Sequence, residues 1–301
     1  MKNYDPKIAA QLLVRSKAAH GLSRRHDGAL ARTLVTSVLT EKAHVQALTL
    51  YAKWLHQHRS GKHLKNSASE DAAVYLNERA QTRKQSTMDL DRQAINLHLH
   101  SDNVIPFLSS VLPTIPVDRA YTTREIALLV ESANAALALS ISLADDAGLR
   151  SMELVSISRL DHLTPAQRDW SANRFTGRED AERFVVHGKG GLIREVRVSQ
   201  HIAEQLISRS RPHPERISHR GAHLTSHFEL VAGHKFCIVF GRLSQRVLGV
   251  SHGAHGLRHS FAQRRRVELL CCGFSHQESV EILSQELGHF STTNTFAYLR
   301  D

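Results

Sequence analysis

The stretch VLPTIPVDRAYTTRE, residues 111–125, constrains this chain more than any other. Pro113 and Pro116 remove backbone donors and push the residues before them toward extended geometry, so no helix or paired strand runs through. Apolar residues recur at helical spacing on both sides of the break. It therefore predicts two domains, 1–112 and 121–301, joined by a linker over 113–120. A length of 301 residues suits that division, with chain enough to bury a core in each part.

Ahead of the break, TEKAHVQALTLYAKWLHQH sets Ala43, Ala47, Leu50, Trp54 and Leu55 at helix spacing, with Thr40 as N-cap. ASEDAAVYLNERAQ and STMDLDRQAINLHLHSD predict two further helices, and residues 5–38 hold one or two more around HGLSRRHDG. After the break, Thr122 and Glu125 form a capping box, and EIALLVESANAALALSISLADDAG is a helical run stopped by Gly148. The period then changes. In RFVVHGKGGLIREVRV two β-prone runs flank a glycine-rich turn, which predicts a hairpin. Helical patterns return from about Ile202 to the end. The expected fold is mainly α (α+β): a helical first domain, then a mostly helical second one with a small antiparallel sheet.

Lys and Arg number 39 against 29 acidic residues, a net charge of +10, and an excess of that size favours a polyanionic partner. The 21 histidines add charge that titrates near neutrality. An apolar fraction of 41% argues against disorder. Three cysteines, two of them adjacent, make no disulfide framework and fit a reducing compartment. The start MKNYDPKIAAQLLVRSK is not a signal peptide, and no apolar run reaches membrane-spanning length. A cytoplasmic protein with no membrane partner is expected.

Four stretches of the second domain could carry chemistry. In DAGLRSMEL, Arg150 and Glu153 lie three apart and pair if a helix starts there. A surface ion pair is the bland alternative. Lys189 stands between glycines at the hairpin tip, where the backbone can approach a phosphate closely. In HGLRHSFAQRRR, His255 and Arg258 share a helical face. His259, four from His255, raises a zinc site, but no acidic or cysteine ligand follows at a familiar spacing, so no metal is expected. Lastly, Leu287-Gly288-His289 precedes Tyr298 by nine residues. Two arginines, a lysine, two histidines and a tyrosine suit attack of a phenol on a phosphodiester. The guanidinium forks match phosphate oxygens, and a histidine or lysine moves the protons.

In order and wording these stretches resemble the tyrosine recombinase (phage integrase) family. The matching residues are Gly148-Leu149-Arg150 with Glu153-Leu154, Gly188-Lys189-Gly190, His255-Gly256-Leu257-Arg258-His259-Ser260-Phe261, Leu287-Gly288-His289 and Tyr298. The resemblance extends from about Thr122 to the end. It implies a site-specific DNA recombinase acting through a 3′-phosphotyrosyl intermediate and a Holliday junction, with neither metal nor ATP and no cofactor. Tyr298 would be the nucleophile, and Arg150, Arg258 and His289 would hold the phosphate. Lys189 would protonate the leaving 5′-oxygen, His255 would accept the tyrosine proton, and Glu153 would orient Arg150 and His255.

The first domain would be the core-binding domain, with residues 1–40 an extra helix or arm, and 121–301 the catalytic domain. The implied partners are double-stranded DNA, further copies forming a tetramer on DNA, and accessory bending or directionality factors, in a nucleoid-associated, prokaryotic setting. Lys42, Lys53, Arg83, Lys84, Arg264 and Arg265 are candidate DNA contacts. Departures from the pattern are the polar insertion LTPAQRDWSANRFTGREDAER, an extended loop expected around CCGFSHQES, and only three residues after Tyr298, which implies either a different way of interlocking protomers or a trimmed sequence. Two alternatives stay open: a type IB topoisomerase-like relaxing activity, and a non-catalytic DNA-binding protein on the same fold.

Overall fold

A computed structural model describes residues 4–20, 22, 27–99, 105–113, 118–219 and 222–299; the side chains of Lys189, His219 and Ala222 lie outside that description. The chain divides after Pro116 into two compact units. Half of the predicted linker, residues 114–117, and part of HGLSRRHDG fall outside the described residues.

The first unit is helical. α1 (Pro6–Arg15) starts on Asp5, whose carboxylate accepts the Lys7 and Ile8 amides, with Pro6 placed where its missing N–H costs nothing. α2 (Gly28–Arg32) is one short turn of helix. α3 (Val38–His58) begins two residues before the expected Thr40, because Ser37 takes the extended cap geometry and accepts the Thr40 amide. α4 (Ser69–Ala80) and α5 (Gln85–His98) complete the set. Their apolar stripes meet around Leu48, Tyr51, Leu55, Leu76, Met88 and Ile95.

Two histidines interrupt that core. His44 Nδ1 on α3 lies 3.1 Å from His98 Nε2 on α5, and the outer nitrogen of each ring is buried without a hydrogen-bond partner. Burial, with the His44 ring and the Lys17 ammonium as smaller contributions, pulls His98 down to about 4, and burial lowers His44 as well. Below the ordinary histidine pKa, near 6.5, the unfolded chain binds protons that the folded unit refuses, so acid favours unfolding. The first unit should therefore lose stability as pH falls from about 6.5 toward 4. Thermal melts across that window should show H44L/H98L losing less than the native protein.

The second unit begins with α6 (Thr123–Glu131), capped as expected: Glu125 accepts the Thr122 amide at 2.7 Å and Thr122 accepts the Glu125 amide at 3.2 Å. The long run that follows is two helices rather than one. Asn134 accepts the Leu137 amide at 3.0 Å and starts α7 (Ala135–Asp146) afresh. This helix buries Leu137, Leu139, Ile141 and Leu143 on several faces and is the centre of the core. α8 (Glu153–Ser156) follows. β1 (Glu182–His187) and β2 (Ile193–Val198) form the predicted hairpin, antiparallel with Phe184 opposite Val196 and His187 opposite Ile193.

After α9 (Gln200–Ile207) the chain makes a second hairpin, β3 (Ser210–His219) with β4 (Ala222–Phe228), in a region expected to be helical. α10 (Gly233–Leu248), α11 (His255–Cys271), α12 (His276–Glu286) and α13 (Thr292–Phe296) close the unit. No extended loop surrounds CCGFSHQES. α11 runs through Cys271, and Ser275 with Glu278 caps α12 only four residues later. Among the described residues no helix is long and apolar enough to cross a membrane.

Candidate active site

α7 ends at Gly148, whose φ of 60° is left-handed, and the Leu149 amide reaches back to Ala144. A Cβ here would lie 2.4 Å from the Phe261 ring of α11, so only glycine fits the conformation and the space together. Gly148→Ala should cost roughly 1–3 kcal/mol, read as a lower denaturant midpoint with an unchanged slope.

The turn delivers Arg150 beside Glu153 at the start of α8. Arg150 Nη1 donates to Glu153 Oε1 at 2.7 Å, and the Arg150 amide donates to Oε2 at 2.9 Å. The predicted pairing forms, but it is no surface ion pair, because the Glu153 side chain is fully buried. Two more guanidiniums converge on the same carboxylate: Arg194 Nη2 from β2 at 2.8 Å and Arg258 Nη1 from α11 at 3.5 Å. Burial pushes the Glu153 carboxyl up, but the three guanidiniums of Arg194, Arg258 and Arg150 outweigh it and hold it at about 2. Burial lowers Arg258 to about 9, so it stays charged at neutral pH.

Arg194 and Arg258 also finish α12. Arg194 donates to the Glu286 carbonyl at 2.7 Å, and Arg258 donates to that of Leu287, so two orphaned carbonyls at a negative helix end are met by cations. Beyond them LGH is a helix stop. The Gly288 amide bonds Gln285, the His289 amide bonds Ser284, and Gly288 has φ 71°. A Cβ on Gly288 would meet Arg194 Cδ at 2.9 Å, and one on Gly188 would meet Glu153 Oε1 at 3.1 Å. Two motif glycines, Gly188 and Gly288, thus make room for the parts of one arginine–carboxylate hub.

Tyr298, just after α13, lies over this hub. Its hydroxyl is 2.9 Å from His255 Nε2, and its ring centroid lies 4.5 Å from that of His259 and 5.1 Å from that of His289. Arg258 Cζ is 5.8 Å from the ring centroid. Burial, with nearby arginines and, for His255, the His259 ring adding to it, lowers His255 and His259 to about 4 and His289 to about 3. All three rings are therefore neutral at pH 7. A neutral His255 can accept the phenol proton at Nε2. His289 Nε2 accepts from Arg258 Nη2 at 3.3 Å, so its proton sits on Nδ1, facing Thr295 Oγ1 at 3.1 Å. In this state His289 has no Nε2 proton to donate.

Arg150, Glu153, His255, Arg258, His289 and Tyr298 are thus brought together. The backbone of Lys189 lies in the turn between β1 and β2, and its side chain lies outside the described residues. Sequence reasoning missed Arg194, whose signal was a charge at an inward-facing position of a β-strand. It also read His259 only as a metal candidate. Among the described residues no group of three or more His, Cys, Asp or Glu is arranged to hold a metal.

The six candidate DNA contacts fare differently. Lys42, Lys53, Arg83 and Lys84 are exposed on the first unit. Arg265 is fully buried, donating to Glu286 at 2.9 Å, Glu268 at 3.0 Å and the Thr176 carbonyl at 2.9 Å, so it ties α11 to α12 instead of facing solvent. Arg264 is turned onto Asp145 at 3.1 Å.

No protein-family model matches the chain, and no curated protein matches it. Solved structures do. The XerH site-specific recombinase bound to palindromic difH substrate, in a post-cleavage complex, is similar over 100% of this chain and 94% of its own at TM-score 0.60 and 16% identity. The Tn1549 transposon integrase in complex with circular intermediate DNA covers 97% of this chain and 95% of its own, at TM-score 0.55 and 15% identity. A lambda integrase tetramer bound to a Holliday junction covers 96% of this chain and 81% of its own, at TM-score 0.55 and 15% identity. The fold is that of the tyrosine recombinases. Within this fold, the hub and Tyr298 belong to the second unit.

Proposed function

We propose that this chain is a site-specific DNA recombinase that cleaves and rejoins strands through Tyr298. The observation that carries the reading is the 2.9 Å approach of the Tyr298 hydroxyl to a neutral His255, with Arg258 Cζ 5.8 Å from the tyrosine ring. In the proposed step the Tyr298 oxygen forms a bond to phosphorus and the bond to the 5′-oxygen breaks. The phenol proton passes to His255 Nε2, and the leaving oxygen takes a proton from Lys189. Arg150 and Arg258 hold the non-bridging oxygens, where fixed cationic donors stabilise the added charge of the pentacoordinate state. His289 joins them once a phosphate displaces the Arg258 contact and the ring proton on Nδ1 passes through water to Nε2, which then donates to the phosphate. Reversal by a 5′-hydroxyl from a second duplex rejoins the strands.

The first unit, with exposed Lys42, Lys53, Arg83 and Lys84, is the proposed second grip on the duplex, where phosphate contacts set position. Two synapsed duplexes require four protomers. The test is a nicked suicide substrate drawn from DNA flanking the encoding gene. A covalent protein–DNA adduct in a denaturing gel supports the reading. Tight binding to a footprinted site with no adduct would leave a binding protein on this fold, and relaxation of plasmids lacking the site would indicate a topoisomerase.

A further inference from the structure

The turn that carries His289 is held in an unfavourable backbone conformation. Phe290, immediately after it, has φ 52°, a region that a bulky L-residue enters only when its surroundings impose it. The polar segment between α8 and β1 packs against it. The Trp170 ring packs on Phe290 with centroids 4.8 Å apart, Arg168 lies over the Phe290 ring at 4.9 Å, and Arg174 backs Trp170 at 4.0 Å. The same segment is stitched to the end of α12: the Ser171 amide donates to Gln285 Oε1 at 2.7 Å, and the Phe175 amide to Glu286 Oε1 at 2.8 Å. At its other end the Ala166 amide donates to the Ile193 carbonyl at 2.9 Å, on the first residue of β2 after the Lys189 turn.

We propose that residues 166–175 form a clasp that fixes the His289 turn against the base of the Lys189 hairpin, with Trp170 as its positioning residue. Trp170 touches no reacting atom. It forces Phe290 into the left-handed region, and that backbone setting aims His289 at Arg258. Without the clasp, Phe290 relaxes to negative φ and His289 swings away, while the DNA-binding surfaces are untouched.

The kinetic half of this proposal rests on the recombinase reading, so the test has two arms on the full-length protein. Hydrogen exchange across residues 288–291 in the DNA-free protein should quicken in Trp170→Ala and stay slow in Trp170→Phe. Single-turnover cleavage of the suicide substrate should slow in Trp170→Ala by between about tenfold and a hundredfold, the scale set by a misplaced reacting group, with DNA affinity unchanged. Phe290→Ala should match that loss. Phe290→Asn should cleave close to the native rate, because asparagine enters the left-handed region readily although it too lacks the ring.

Equal rates for Phe290→Ala and Phe290→Asn, or native exchange in Trp170→Ala, would overturn the clasp. If Trp170→Ala does not fold, Trp170→Leu, which keeps bulk without the flat face, takes its place. If the native protein forms no adduct, the recombinase reading fails while the exchange arm still decides the clasp.

Discussion

Tyr298→Phe is expected to form no covalent adduct on a substrate that traps the native protein, with cleavage lower by at least about 10⁴-fold, the scale of losing a sole nucleophile. The change removes one oxygen. The ring keeps its place among His255, His259 and His289, and the lost contact is a single exposed hydrogen bond to His255. Stability should therefore stay within about 1 kcal/mol and DNA affinity should be unaltered. A residual adduct in this variant would mean that another side chain attacks, and the assignment of Tyr298 would fall.

Glu153→Ala is expected to be the most destabilising single substitution in the second unit, at about 3–5 kcal/mol, because it strands buried cations around an empty site. Arg194 and Arg258 are almost wholly excluded from water and hold Glu153 as their shared anion. The pH dependence has a definite sign. Burial alone would raise this carboxyl, and the three guanidiniums bring it down to about 2. A depressed carboxyl contributes stability that is present above its unfolded value, about 4.3, and is lost as pH falls toward 2. Chemical denaturation at a series of pH values should show a steep acid limb in the native protein. Glu153→Gln, which keeps the shape and one acceptor, should be weaker at pH 7 and flatter below pH 4. An unchanged acid limb would mean that the hub does not carry this dependence.

The two experiments read different layers of one site. Tyr298 lies at the surface of the hub and can be altered without disturbing it. Glu153 lies at the centre, so its loss disturbs the arrangement of the three arginines and weakens the fold together.

Much of this was legible in the sequence because it depends on what each short segment's backbone can do. A capping box at Thr122, a left-handed stop at Gly148 and a hairpin around GKGG each need particular residues within a few positions. Arg150, His255, Arg258, His289 and Tyr298 were also legible as one group from their order in the sequence, and the fold brings them together. Some local readings failed because a competing cap prevailed. Asn134 split one expected helix, Ser37 displaced Thr40, and Ser275 with Glu278 turned an expected loop into a short turn between helices.

Only the tertiary structure decided which charges meet. Arg194 and Glu286 are 92 positions apart, Arg258 and Glu153 are 105 apart, and no local pattern pairs them. The same holds for Arg265, exposed by expectation and buried in fact, and for Trp170, which looked like part of a solvated insertion and lies on Phe290. Backbone conformation is set by neighbours along the chain, so the sequence by itself determined where helices stop and turns form. The partner of a buried charge is whichever counter-charge the packed core brings within reach, and that is settled only when the whole unit closes.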